Sequence, residues 1–365
     1  MTAEKEILQK SSRDPDRTRA ALTAWLAGKL PAGSAPEVTE LTVPPTGQSS
    51  ETLLFTATWD DDGSRQARQL VARVAPQKVD MPIFPSYQME REFHVIRSVG
   101  ELTEVPVPEA VWVEPDPATL GTPFFIMSRV DGYIPDDITY NSGGWLFEAS
   151  PDEQRLVQES TVMALAGLHA APDPERNFGF LHYPQAGDTA LRRHVAHAQA
   201  WYDLAVSRGG RCPLIERGFS WLADNWLTSP GETVLSWGDA RVNNVIYRDF
   251  RPVALLDWEM AGLGPREIDI AWLVGGHQVF EDIAGLFGSP GLPHFMRLED
   301  VATQYEAATG HEVRDMDFYL TYTAVQWAIV FVLAGLRRVY FKEQPMPDDV
   351  QELIINRGSL ERMLA

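Results

Sequence analysis

Apolar residues recur along this chain at two different periods, and the change of period divides it. In residues 12–30, Leu22, Trp25, Leu26 and Leu30 stand at helical spacing behind the acidic start Asp14-Pro15-Asp16, which predicts an amphipathic helix. Residues 31–36, rich in proline and glycine, break it. Stretches 38–43, 52–59 and 69–75 then carry β-prone residues, with Asp60-Asp61-Asp62-Gly63 as a hairpin turn and 44–50 as a polar, glycine-containing turn. Helical spacing returns at 86–99 through Met89, Phe93, Ile96 and Val99, and strands are expected at 110–113 and 124–130. Asp131-Gly132 is a break, after which strand signals nearly vanish until Val234. The texture predicts an N-terminal helical segment over 1–36, a β-rich lobe over 37–131 and a helical lobe over 132–365.

The helical lobe is expected to hold helices at 151–169, within 190–227, from 267 onward, and at 298–308, 316–341 and 347–363, with 281–295 as a loop. Residues 319–336 are long and apolar enough for a bilayer, but they carry Gln326 and several hydroxyls, so they are read as a buried core helix. One hairpin interrupts the helices: 244–247 and 253–256 are β-prone runs separated by the polar turn Arg248-Asp249-Phe250-Arg251-Pro252. The fold class is therefore α+β, with two lobes.

Composition narrows the partners. Acidic residues outnumber basic ones 51 to 31, for a formal charge of −20, which disfavours nucleic acid and anionic membrane surfaces as partners. The single cysteine, Cys212, rules out an internal disulfide and a multi-cysteine metal site. The charged start MTAEKEILQK has no apolar run of the signal-peptide kind, and a cytoplasmic location is expected. Lysines are confined to positions 5, 10, 29, 78 and 342, so most positive charge is arginine.

Chemistry concentrates on the hairpin. Asp239 lies five positions before Asn244, and Asp257 ends the second strand, so all three are expected near one end of the ribbon. Singly, each is a turn former. Together they match what phosphoryl transfer needs: a carboxylate to orient or deprotonate a hydroxyl, and oxygen ligands for Mg²⁺. His194 and His197 stand at i, i+3 but lack further ligands for a metal site.

The pattern Gly238-Asp239, Asn244, Asp257-Trp258-Glu259 and 265–273 resembles the aminoglycoside phosphotransferase family, relatives of the protein kinases. LVARVAP at 70–76, EREFHVIRSV at 90–99, PFFIMSRVDG at 123–132 and LAGLHAAP at 165–172 extend the likeness, and DWEMAGLGPREIDIAWL resembles the branch associated with acyl-CoA dehydrogenases. The resemblance implies a bilobal protein-kinase-like fold with a small antiparallel sheet, and use of ATP and Mg²⁺. It further implies a small-molecule hydroxyl as acceptor of the γ-phosphoryl group, whether an aminoglycoside, a hydroxy acid or its acyl thioester, or an amino alcohol. Asp239 falls on the catalytic aspartate, Asn244 and Asp257 on the Mg²⁺ ligands, and Asp269 on a structural aspartate bracing the catalytic loop. Arg241, inside that loop, is a candidate to steady the transferring group. Gly47, Ser49 and Ser50 fall on the phosphate-covering turn, and Met127 and Arg129 on the segment whose backbone would meet adenine. Two departures stand out. Trp237 replaces the usual histidine, and Arg73 replaces the usual lysine that grips phosphate and pairs with a helix glutamate, here Glu92; Lys78 is the nearby alternative. These departures motivate the competing reading, a catalytically silent nucleotide-binding or scaffold protein.

Overall fold

Asp14 accepts the Arg17 backbone N–H at 2.9 Å and Pro15 opens the first turn, so the expected helix forms as α1 (Pro15–Lys29). The structure is a computed structural model that describes residues 13–44, 50–77, 79, 81–137 and 139–365; Gly47, Ser49 and Lys78 lie outside the described residues. It divides into two units, Met1–Arg97 with Pro108–Val130, and Ser98–Val107 with Asp131–Ala365.

The first unit is built on an antiparallel sheet of β1 (Glu37–Thr42), β2 (Glu51–Asp61), β3 (Ser64–Val74), β4 (Ala110–Glu114) and β5 (Phe124–Ser128), in the order β1-β2-β3-β5-β4. The β2–β3 turn is the expected aspartate-glycine one: Asp61 pairs with Ser64, and Asp62 and Gly63 take φ of 45° and 80°. Alternate residues Leu53, Phe55, Ala57 and Trp59 of β2 face a core completed by Leu22 and Leu26 of α1. Trp25 packs edge-on to Phe124 in the same layer, so the N-terminal helix is part of this unit's core. Phe125 points the other way and meets Phe93 of α2 (Met89–Leu102) at 6.4 Å between ring centroids.

The second unit carries α3 (Gly144–Glu148), α4 (Pro151–His169), α5 (Pro174–Phe178), α6 (Ala190–Ser207), α7 (Pro213–Asp224), α8 (Glu267–Leu286), α9 (Leu298–Thr309), α10 (Met316–Tyr340) and α11 (Arg357–Met363). The loop expected over 281–295 is a correction: α8 continues to Leu286, because Val279, Phe280, Ile283 and Ala284 keep its buried face going and Gly285 costs a helix too little to stop it. The single helix expected over 347–363 is instead a 3₁₀ turn, Val350–Leu353, followed by α11, with Asp349 capping the Gln351 N–H. α10 is long and apolar enough to cross a membrane, and 78% of its most apolar stretch is buried inside the unit. Its Phe318, Tyr319 and Tyr322 form a core with Ile268 and Ala271 of α8 and Leu191 and Val195 of α6. His194 and His197 of α6 are packing residues here: His194 Nδ1 lies 2.8 Å from the Tyr322 hydroxyl, and His197 stacks on Tyr183.

A buried histidine makes this core sensitive to acid. His277 Nε2 must donate to the Leu292 carbonyl at 3.1 Å, which leaves Nδ1 to accept the Tyr140 hydroxyl at 2.6 Å. Burial pushes its pKa down to about 4, against a smaller opposing pull from Glu281. The unfolded chain therefore takes up a proton near pH 6.5 that the folded protein refuses until about pH 4, and stability is lost as pH falls through that window. Melting temperature followed from pH 7 to pH 4 is expected to fall more steeply for the wild type than for His277→Gln; parallel curves would contradict this role.

Candidate functional site

The site residues of the second unit sit on two small ribbons. β6 (Thr233–Ser236) pairs with β9 (Gly262–Pro265), and β7 (Val245–Arg248) pairs with β8 (Arg251–Leu255). At the open end of the second ribbon Val245 faces Leu255, and the Leu256 N–H donates to the Asn244 carbonyl at 2.8 Å. Asn244 and Asp257 thus leave the ribbon side by side.

The loop that carries Asp239 is shaped from its backbone. Gly238 has φ of +88°, and a Cβ there would stand 2.1 Å from the Met260 carbonyl oxygen, so only glycine fits. Asp257 also takes a left-handed conformation, φ 60°, which a non-glycine residue holds only where surroundings impose it. Those surroundings include two indoles: Trp237 Nε1 donates to the Leu256 carbonyl at 2.8 Å and Trp258 Nε1 to the Leu255 carbonyl at 3.1 Å, their rings 5.9 Å apart. Together they fix the two carbonyls that precede Asp257.

Asp269 of α8, fully buried, braces the loop from the other side. It accepts the Ser236 hydroxyl at 2.8 Å, the Trp237 N–H at 2.8 Å and the Gly238 N–H at 2.9 Å. His169 at the end of α4 lies 3.0 Å from it through Nε2, with Nδ1 2.7 Å from the Tyr305 hydroxyl. The brace uses backbone N–H groups at 237 and 238, so it does not depend on which side chain stands at 237.

Asp239 is surrounded by donors. Trp272 Nε1 donates to its Oδ1 at 2.6 Å and Asn244 Nδ2 to its Oδ2 at 2.7 Å, while Arg241 Nε bridges both oxygens at 3.0 and 3.1 Å. Arg241 also reaches Asp137 at 3.1 Å, and Asn243 Nδ2 holds the Asp136 and Asp137 carbonyls, which ties the 131–137 stretch to the loop. Burial raises the pKa of Asp239; Arg241 pulls it back, Asp257 raises it further, and the Trp272 and Asn244 donors lower it. For Arg241 burial works against its charge, but Asp239, Asp137 and Asp257 outweigh it and the guanidinium stays charged.

In the first unit, Arg73 of β3 donates through Nη1 to Thr52 Oγ1 at 3.0 Å, and Glu92 is buried on α2. Ser50 is buried just before β2, and its hydroxyl has no hydrogen-bond partner among the described residues. Met127 lies within β5, paired with Val71 and Ala110. The Arg129 N–H donates to the Gln69 carbonyl at 3.1 Å, so that donor is engaged inside the sheet's own pairing. Among the described residues no group of three or more His, Cys, Asp or Glu side chains is arranged to hold a metal ion.

The profile of the phosphotransferase enzyme family matches residues 40–297. The chain belongs to the phosphotransferase enzyme family. As a member it is 28% identical over 300 residues to a probable acyl-CoA dehydrogenase of Arabidopsis thaliana, an alignment covering 78% of this chain and 35% of that protein. It is 30% identical over 204 residues to acyl-CoA dehydrogenase family member 11 of Gallus gallus, covering 55% of this chain and 25% of the relative. The chain thus matches only about a third or less of the length of these relatives. A protein of Ralstonia eutropha assigned to the aminoglycoside phosphotransferases shares the fold of this phosphotransferase family member, with TM-score 0.65, 22% identity, and 94% of this chain and 96% of that one covered. A macrolide 2′-phosphotransferase type I follows with TM-score 0.54, 18% identity, and 95% and 96% covered. A thermostable aminoglycoside phosphotransferase mutant, solved as a ternary complex with AMP-PNP and hygromycin B, has TM-score 0.51 at 15% identity, with 94% and 98% covered. These likenesses establish the kinase-like α+β fold that the motifs implied.

Residue-level reading missed Trp272, Asp137 and the link from His169 to Asp269. One signal was present for the first: Trp272 follows Asp269 by three, so both project from the same face of α8. Asp137 had none, because only the folded chain brings it to Arg241.

Proposed function

We propose that this protein transfers the γ-phosphoryl group of ATP, with Mg²⁺, to a hydroxyl of a small molecule, using Asp239 to orient and deprotonate that hydroxyl. The observation that carries the reading is the convergence of Asp239, Asn244 and the strained Asp257 at the open end of one ribbon, with Asp239 and Asn244 buried and the loop braced by Asp269. The donor set suits a hard cation: Asn244 directs its N–H₂ at Asp239, which leaves its carbonyl oxygen, and Asp257 supplies carboxylate oxygens. Mg²⁺ bound there would neutralise charge on the phosphates. Asn244 and Asp257 would hold it. Ser50 and Arg73 fit a phosphate-binding role, one as a buried hydroxyl with no hydrogen-bond partner among the described residues and the other as a cation able to make paired bonds to phosphate. The family relative bound to AMP-PNP and hygromycin B supports a nucleotide and a small polar acceptor.

Asp239 acts in this scheme with its charge retained beside Arg241, and Arg241 is placed to face the transferring group once the hydroxyl takes its position on the carboxyl. Trp237 removes no part of the scheme, since the loop is braced through the backbone. The acceptor class is open to direct test. ATP consumption screened over aminoglycosides, hydroxy acids, hydroxyacyl thioesters and amino alcohols is expected to single out one class with Mg²⁺ dependence. ATP binding without turnover on every class would favour the silent reading. Within an active assay, Arg73→Met is expected to raise KM for ATP roughly 10-fold or more, the loss of a charge-assisted bond to phosphate. An unchanged KM would remove Arg73 from the nucleotide site.

A further inference from the structure

We infer that Trp272 is a positioning residue for Asp239, its indole N–H fixing the direction in which the carboxyl faces the acceptor hydroxyl. The inference rests on the phosphotransferase reading and adds a residue to it. Three donors meet the Asp239 carboxyl, and they differ in what else they do. Asn244 has a cation role in the proposed scheme. Arg241 is divided between both carboxyl oxygens and Asp137, at 3.0 to 3.1 Å, and is the longest-range of the three. Trp272 makes the shortest contact, 2.6 Å to Oδ1, and an indole has one donor and no acceptor, so this bond exhausts its polar capacity.

Its surroundings leave it little freedom. The ring is 2% exposed and stacks on Trp327 of α10, with centroids 5.5 Å apart and planes 19° from parallel. One turn earlier on α8, Asp269 holds the backbone at 237 and 238, so a single helix turn sets both the main chain leading into Asp239 and the rotation of its side chain. A neutral donor is suited to this task. It fixes the rotamer without cancelling the charge that gives the carboxyl its basicity. The four contacts fill the acceptor sites of both oxygens, so an incoming hydroxyl has to displace one of them. Arg241, long and shared, is the contact that yields, and Trp272 holds Oδ1 in place while it does.

Trp272→Phe keeps a ring in the stack and deletes the donor, at the cost of some buried ring volume for which Trp327→Phe is the control. In the active assay kcat is expected to fall roughly 10- to 100-fold, the loss of one hydrogen bond to a charged group, with KM for ATP unchanged. KM for the acceptor is also expected to stay near the wild-type value, so the loss falls on kcat. Trp327→Phe is the packing control: the Trp327 indole nitrogen has no hydrogen-bond partner among the described residues, and phenylalanine keeps a ring beside Arg241, whose guanidinium lies 5.9 Å from the Trp327 ring, so kcat should stay near the wild-type value. Wild-type kcat in Trp272→Phe would overturn the inference, as would an equal fall in Trp327→Phe. A readout independent of turnover is the indole ¹⁵N–¹H signal of Trp272 at neutral pH, identified by its absence from Trp272→Phe. It is expected to shift upfield in Asp239→Asn, where a neutral amide oxygen replaces the charged acceptor; a signal indifferent to Asp239→Asn overturns the inference. A wild type that phosphorylates nothing counts against the phosphotransferase reading alone, and the indole signal then decides whether Trp272 holds the carboxyl.

Discussion

Asp239→Asn is expected to lower phosphoryl transfer by roughly 10²- to 10⁴-fold while the protein stays folded, the range for removing a positioned general base. Asparagine has the same shape and still offers one oxygen, so the Trp272 N–H at Oδ1 keeps an acceptor. What it lacks is a site for the hydroxyl proton. Its own N–H₂ would then face Asn244 Nδ2 and Arg241 Nε, both donors, so those two contacts are lost. Stability is not expected to suffer much, because burial opposes the charge that the substitution removes and Arg241 keeps Asp137. In the wild type the same burial moves the acid limb above the ordinary aspartate value: activity is lost as pH falls through the raised pKa of Asp239, which must be charged to work. Steady-state turnover paired with a melting curve checks the first claim, and wild-type turnover in Asp239→Asn would end the assignment. A rate profile carried to acid pH checks the second.

Much of this site was legible in the chain, and the reason is local. Asp239, Asn244 and Asp257 lie within a stretch whose spacing is set by one hairpin, so turn chemistry brings them together with little help from the rest of the fold, whereas Asp269 was indicated only by the family resemblance. The meander of the first unit was equally plain: the Asp62-Gly63 turn and the alternation in β2 leave few other pairings. Where prediction failed, the deciding contacts were distant in sequence. β9, four residues rich in glycine, has no strand propensity of its own and exists because Thr233 to Ser236 pair with it. His169 ends α4, and the fold sets Asp269 against it from 100 residues away. Trp237 shows the converse. It stands where the family usually has a histidine, and in the packed loop it donates to the Leu256 carbonyl while the bracing comes from main-chain N–H groups.

Asp269→Ala is expected to cost the fold itself, on the order of 3–5 kcal/mol, as when one partner of a buried charged network is removed. Four groups lose their acceptor at once: the Ser236 hydroxyl, the Trp237 and Gly238 N–H groups, and His169. Two of these are main-chain donors in a loop whose path Gly238 already constrains, so they cannot turn to other partners without moving the loop off Met260. Each buried donor left unmet costs about 1–3 kcal/mol, and a domain's whole margin is only about 5–15 kcal/mol, so partial unfolding near room temperature is within reach. Asp269→Asn separates fold from function. Its single oxygen can keep one or two of the four donors and its volume fills the site, so the chain should fold with a lowered urea midpoint. The loop would then be held from one side only, and turnover should fall although Asp239 and its three donors are untouched. If Asp269→Ala unfolds at the wild-type urea concentration, the brace carries no weight, and the position of Asp239 must then be set by its own donors, Trp272, Asn244 and Arg241.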